Sequence, residues 1–119
     1  MGATTVLLVD DEKEFVDTLA ERISIRSLCP HVAYSGEQAL EMIDATVPDV
    51  MVLDLKMPGM GGTDVLARVK VSHPEISIII LTGHGDAKDR ILVEGMGASG
   101  YFQKPVDIDR LVAKIQALV

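Results

Sequence analysis

The sequence is poor in aromatic side chains. It has no Trp, 2 Phe and 2 Tyr, so no Trp can anchor an interface or a sugar site. Aliphatic side chains must build the core, and the 48% hydrophobic content is enough for one. Cysteine is also nearly missing. Cys29 stands alone, which excludes an internal disulfide and a cysteine metal cluster. It is expected to be a reduced, structural thiol in a cytosolic protein. Positive charge is short too: 11 Lys and Arg face 18 Asp and Glu, for a net charge of -7 and a pI near 4.8. The basic residues are scattered, so direct nucleic-acid binding is not expected. No apolar run reaches bilayer length, and no charged-then-apolar leader precedes the first strand. A soluble, cytoplasmic chain without a membrane partner is expected.

What is present alternates. Short apolar runs at Val6–Val9, Val50–Leu53 and Ile78–Leu81 read as buried parallel strands. Weaker runs at Val32–Tyr34 and Tyr101–Gln103 complete a set of five. Between them lie stretches with helical spacing. Phe15, Val16, Leu19 and Ile23 share one face. Ala39, Leu40 and Ile43 share another, as do Val65, Leu66 and Val69. The last stretch groups Leu111, Val112, Ile115, Leu118 and Val119. A short fourth helix is expected around Lys88 to Glu94, ended by Gly95 and Gly97.

Breakers agree with these limits. Ser35-Gly36, Pro48, Pro58-Gly59, Gly61-Gly62 and Pro74 fall between elements, and Asp107 can cap the last helix. There is no linker, low-complexity segment or internal repeat. Five strand–helix units predict an α/β fold, a doubly wound parallel sheet, since closing a barrel would take about eight. At 119 residues the chain is expected to be one domain over 1–119, with no output domain in this chain.

In such sheets, ligands bind beyond the carboxyl ends of the strands. Asp10, Asp11 and Glu12 follow the first strand, Asp54 the third, Thr82 ends the fourth, and Lys104-Pro105 follows the fifth. Singly, each has an ordinary explanation: acidic residues complement a helix dipole, and Asp, Thr and Lys are common in turns. Jointly, they fall at the same ends of separate strands and carry complementary chemistry. Carboxylates brought together need a proton or a cation. An all-oxygen rim with room for water suits Mg²⁺, with Mn²⁺ as a substitute. A cation, a lysine and a hydroxyl together can neutralise the equatorial oxygens of a phosphoryl group. Asp54, on the most hydrophobic and central strand, is the natural nucleophile.

These residues also carry a resemblance. Val6-Leu7-Leu8-Val9-Asp10-Asp11-Glu12, Val52-Leu53-Asp54-Leu55-Lys56-Met57-Pro58-Gly59-Met60, Leu81-Thr82-Gly83 and Gly97 through Pro105 are similar, in order and spacing, to response-regulator receiver domains. The likeness covers essentially the whole chain. It implies a flavodoxin-like (βα)5 fold with strand order 2-1-3-4-5. It implies Asp54 as phosphoacceptor, with Lys104 and Thr82 serving the phosphoryl group. Mg²⁺ would be held by Asp11 and Asp54 directly, by Asp10 through water and by the Lys56 carbonyl. Thr82 and Tyr101 would form a switch pair that reshapes the surface of the fourth helix, fifth strand and fifth helix. Lys104-Pro105 would be cis. The implied partners are a sensor histidine kinase or phosphotransfer protein as donor, a downstream effector or output domain, and a second copy on phosphorylation. The chain would be a signalling switch, catalysing only its own phosphorylation and dephosphorylation.

Some positions depart from the commonest pattern. Gly61 replaces a frequent acidic residue, and with Gly59 and Gly62 it is expected to make the loop after Asp54 mobile. Lys56 and His84 occupy positions that tune phosphoryl lifetime. His84 is read as a solvated loop residue, and His31 and His73, without partners at metal-ligand spacing, as structural. A haloacid-dehalogenase-type hydrolase would need an Asp where Lys56 stands. A flavodoxin would need a Ser/Thr/Gly-rich loop where the acidic run stands. A degenerate, unphosphorylated interaction module would lack one of the acidic residues, the acceptor or the lysine, and all are present.

Overall fold

A computed structural model describes residues 3–119. Five strands alternate with five helices: β1 (Thr4–Val9), α1 (Lys13–Ser24), β2 (Leu28–Ala33), α2 (Gly36–Ala45), β3 (Val50–Leu53), α3 (Gly62–Ser72), β4 (Ser77–Thr82), α4 (Ala87–Gly95), β5 (Gly100–Gln103) and α5 (Ile108–Ala117). The strands form one parallel sheet in the order β2-β1-β3-β4-β5. This is the expected flavodoxin-like α/β architecture.

The sheet has two apolar faces because its central strands carry unbroken apolar runs, Val6–Val9, Val50–Leu53 and Ile78–Leu81. Leu7, Val9, Met51, Leu53, Ile78 and Ile80 point to one side and pack with α2, α3 and α4. Val6, Leu8, Val50, Val52, Ile79 and Leu81 point to the other and pack with α1 and α5. Strands covered on both faces read as continuous hydrophobic runs, which is why β1, β3 and β4 stand out in the sequence.

The edge strand β2 reads less clearly. It runs from Leu28 to Ala33, earlier than the expected Val32–Tyr34. Cys29 and His31 are exposed on it and Pro30 interrupts the pattern, which an edge strand tolerates. Tyr34 lies past its end, with its N–H donated to Gln38 Oε1 and its hydroxyl to Asp17. Cys29, expected to be a reduced, structural thiol, is a free and exposed residue of this edge strand. Val119 is exposed and Leu118 only partly buried, so the α5 face ends at Ile115.

The helices start where side chains satisfy their free N–H groups. Ser35 accepts from Gln38, Asp107 from Asp109 and Arg110, and Asp86 with Asp89 forms a reciprocal box at α4. That box explains how a short helix that buries only Val93 keeps a defined first turn.

The glycines after Asp54 have separate reasons. Gly59 has φ +73°, a left-handed turn. Gly62 is buried, and a Cβ there would overlap the Asp54 carbonyl oxygen and lie 2.7 Å from the Leu55 Cα. Its N–H donates to the Leu55 carbonyl at 2.9 Å. The backbone approach pins α3 against the strand end, so Gly62 is a fixed point where mobility was expected. Gly62→Ala should destabilise the fold by about 1–3 kcal/mol, since backbone on both sides blocks relief; a urea midpoint equal to wild type would refute the close-contact reading.

Candidate functional site

Register sets the site. Val9 is level with Leu53, and Leu53 with Ile80, while Thr82 pairs with Gln103. The Asp54 N–H donates to the Val9 carbonyl and the Lys104 N–H to the Thr82 carbonyl, both at 3.0 Å. Asp10, Asp54, Thr82 and Lys104 are thus fixed at one rim by the backbone before any side-chain contact is considered. Three polar side chains are buried among the described residues, and all belong to this rim: Asp10, Asp54 and Thr82.

Lys104 is the centre of charge. Its Nζ lies 2.7 Å from Asp10 Oδ2, 2.6 Å from Glu12 Oε1 and 3.8 Å from Asp54 Oδ2. It also sits 4.3 Å from the Phe15 ring centroid, a cation–π contact. Carboxylate oxygens of Asp10, Glu12 and Asp54 approach within 4.8 Å of one another. Burial pushes the Asp10 carboxyl up, against the hydrogen bond from Lys104 and the Glu12 N–H. Glu12 is held below its ordinary range by its hydrogen bond from Lys104. Burial works against the Lys104 ammonium, but hydrogen bonds to Asp10 and Glu12 outweigh it and hold Lys104 above its ordinary value.

Asp54 is less satisfied. It is 3% exposed, yet its partners are the Lys56 N–H at 3.4 Å and the distant ammonium of Lys104. A buried carboxylate with spare acceptor capacity, beside two further carboxylates and one cation, fits an additional hard cation. Asp11 is half-buried and lies outside the group formed by Asp10, Glu12 and Asp54. Glu12 was read only as part of the acidic run; its role as a Lys104 partner depends on the turn into α1 and has no signature in the sequence. Phe15 was read as core, and it is the face on which Lys104 rests.

Thr82 Oγ1 accepts from the exposed His84 N–H at 3.3 Å. The Lys56 side chain points away from the acidic group, with Nζ 3.8 Å from Asp89 on α4. Lys104-Pro105 is cis. Tyr101 is a half-buried residue of β5. Its hydroxyl is buried and has no hydrogen-bond partner, and burial pushes its acidity down, raising the pKa.

The comparisons with known proteins agree with this geometry. The family model described as "Response regulator receiver domain" matches residues 6–116. The chain belongs to the response regulator receiver domains. It is 37% identical over 114 residues to the transcriptional regulatory protein CpxR of Escherichia coli K12, covering 96% of this chain and 48% of that protein. The receiver therefore spans about half the length of the curated relatives it matches. A receiver domain from Clostridium thermocellum superposes with a TM-score of 0.90 at 32% identity, covering 97% of this chain and 93% of that one. A Burkholderia pseudomallei response regulator, crystallised with a phosphorylated aspartic acid, a calcium ion and citrate, superposes with a TM-score of 0.88 at 25% identity, covering 95% of this chain and 66% of that one. No helix among the described residues of this receiver is long and apolar enough to cross a membrane.

The charge arrangement yields a pH-dependent outcome. Lys104→Met leaves Asp10 and Asp54 facing each other without their cation. At pH 7 it should cost about 3 kcal/mol, the low end for a broken buried pair because Glu12 stays wet. The sign on acidification is fixed by Asp10. A carboxyl raised above its unfolded value adds stability below that value and loses it as pH rises through the folded one. Without Lys104 the Asp10 pKa rises further, so the deficit should shrink as pH falls toward 5. Urea unfolding of both proteins at pH 7 and 5 measures it; an equal deficit at both would contradict the assignment.

Proposed function

We propose that Asp54 accepts a phosphoryl group and that this receiver is a competent switch. The observation that carries the reading is the Asp54 carboxylate: buried at the end of the central strand, rigid in position, and short of hydrogen-bond partners. In the transfer, a bond forms between an Asp54 oxygen and phosphorus while the phosphorus–nitrogen bond of a donor phosphohistidine breaks. The donor imidazole leaves with the electron pair. Lys104 and the Thr82 hydroxyl take up charge on the phosphoryl oxygens, and later hydrolysis returns the carboxylate. Lys104 Nζ already stands 3.8 Å from the Asp54 carboxylate, and Thr82 ends the neighbouring strand at the same rim.

Mg²⁺ would be held by Asp11 and Asp54, by Asp10 through water and by the Lys56 carbonyl; bound there, it neutralises charge on the transferring group. The grouping of Asp10, Glu12 and Asp54 favours a second distribution, in which Glu12 takes the place given to Asp11. The Burkholderia relative, crystallised with a phosphorylated aspartic acid and a calcium ion, supports an aspartate acceptor and a divalent cation in a chain of this fold.

Phosphorylation would act through Thr82 and Tyr101 on the surface of α4, β5 and α5. Donors would be a sensor histidine kinase or phosphotransfer protein. The response would pass to a downstream effector or output domain, or to a second copy. In this reading, residues 1–119 form one receiver unit in the cytoplasm. The unit catalyses only its own phosphorylation and dephosphorylation and turns over no metabolite.

Intact-protein mass after incubation with acetyl phosphate and Mg²⁺ tests the acceptor. One added phosphoryl group is expected in wild type and none in Asp54→Asn. Labelling retained in Asp54→Asn would move the acceptor elsewhere; no labelling of wild type, with a phosphohistidine donor also failing, would leave a degenerate interaction module. Mg²⁺ titration separates the two ligand distributions: Asp11→Asn should weaken binding severely and Glu12→Gln only slightly, while the reverse order would assign Glu12.

A further inference from the structure

Lys56 brings two opposed groups to the neighbourhood of Asp54. Its carbonyl is among the ligands proposed for Mg²⁺, yet its side chain ends in an ammonium, which a metal site repels. The residue stands two positions after the acceptor and donates its N–H to Asp54 Oδ1 at 3.4 Å. The rim attracts cations, because the carboxylates of Asp10, Glu12 and Asp54 outnumber the one ammonium of Lys104. A free ammonium on so short a tether would be drawn to those carboxylates and would compete with a divalent ion for them.

The Lys56 ammonium is engaged elsewhere. Its Nζ lies 3.8 Å from Asp89 Oδ2, reaching from the loop after Asp54 to the first turn of α4. Asp89 is not a loose surface carboxylate. The same Oδ2 accepts the Asp86 N–H at 3.2 Å, and the Asp89 N–H donates to Asp86 Oδ1 at 2.9 Å. This reciprocal box and the positive end of the helix dipole hold the carboxylate in place. The Asp89 side chain is 24% exposed against 52% for Lys56, so the acid is the fixed member of the pair. Arg90, the next residue along α4, is directed to Glu94 and to the Tyr101 ring. Among the described residues, Lys56 is the cation paired with Asp89.

We propose that Asp89 is a positioning residue that holds the Lys56 ammonium off the acidic rim and so reserves Asp54 for a divalent cation. The inference rests on the proposed Mg²⁺ site and adds to it a residue of α4 that is not among its ligands. With the pair made, position 56 offers the metal a carbonyl and keeps its charge at α4. With the pair broken, the same side chain becomes a rival of the metal. An exposed pair of this length contributes little to stability; its consequence is where a charge is kept. The pair also ties the metal site to α4, since whatever moves the first turn of that helix changes the competition for Asp54.

Titration of the receiver with MgCl₂, followed by NMR on the backbone amides at about 0.15 M salt, where distant surface charges are screened, tests this. Asp89→Asn removes the charge and keeps an oxygen to accept the Asp86 N–H, so the box at α4 survives. It should weaken Mg²⁺ binding about two- to fivefold, the range that an exposed ion pair supplies. In a Lys56→Met background the same Asp89→Asn change should leave the Mg²⁺ affinity where Lys56→Met sets it, since no ammonium remains to be released. Equal weakening in both backgrounds would overturn the proposal by assigning the effect to the lost negative charge alone. So would undiminished affinity in Asp89→Asn with Lys56 present. Asp54→Asn, titrated in parallel, reports the metal site itself. Wild type binding Mg²⁺ no better than Asp54→Asn would sink the metal reading and this inference with it. Binding that is lost in Asp54→Asn yet indifferent to Asp89 would sink the inference alone.

Discussion

The chemistry of the rim turns on one ammonium group among three carboxylates. Asp10, Glu12 and Asp54 share a rim with Lys104 as the cation within reach. Two of the three carboxylates are almost wholly removed from water. Charges so placed are tolerated only with compensation, and a partly compensated cluster remains responsive to what arrives next. Lys104 Nζ lies 2.7 Å from Asp10 and 2.6 Å from Glu12 but 3.8 Å from Asp54. The site is therefore neutralised enough to fold and left under-neutralised at the carboxylate proposed to react.

That balance is delivered by the sheet. Parallel pairing puts the ends of β1, β3, β4 and β5 on one edge of the molecule, and backbone hydrogen bonds extend the ladder through Asp54 and Lys104. Apolar residues on both faces hold the central strands in place. Burial at about 25 cal/mol per Å² fixes the strands far more strongly than any rim contact could. The polar groups need not organise the fold; they inherit positions from it. The contact of Gly62 with the Asp54 carbonyl shows the same economy, since a missing side chain lets α3 close directly on the end of the strand that leads into Asp54.

Legibility followed burial. β1, β3 and β4 were readable to within two residues because both faces are apolar, and α3 because Val65, Leu66 and Val69 are all buried. β2 was misplaced because an edge strand with exposed Cys29 and His31 and a central Pro30 lacks that signal. At the rim, the positions of Asp10, Asp54, Thr82 and Lys104 followed from strand ends alone. Which acidic side chain meets Lys104 did not, since that depends on how the chain turns from β1 into α1: Glu12 turns in, and Asp11 lies outside the group. Gly85, where a Cβ would overlap the Tyr101 hydroxyl oxygen, was passed over for a related reason. A glycine needed for a close approach looks in sequence like any loop glycine, and only the ring beside it reveals the constraint.

The hydroxyl of Tyr101 bears on how such a molecule can be switched at all. A buried hydroxyl without a partner costs about 1–3 kcal/mol, while burying an aromatic ring returns an amount of similar size. The inward ring is thus held by a small difference between opposing terms. A two-state element responds to a single bound group only when its states differ by a few kcal/mol. Had the hydroxyl found a strong partner, the inward state would be too deep to shift. Had position 85 carried a side chain, it would be closed to the ring. An unmade hydrogen bond beside a glycine keeps the two placements of the ring close in free energy, the condition under which a charge gained at the rim could be passed to α4.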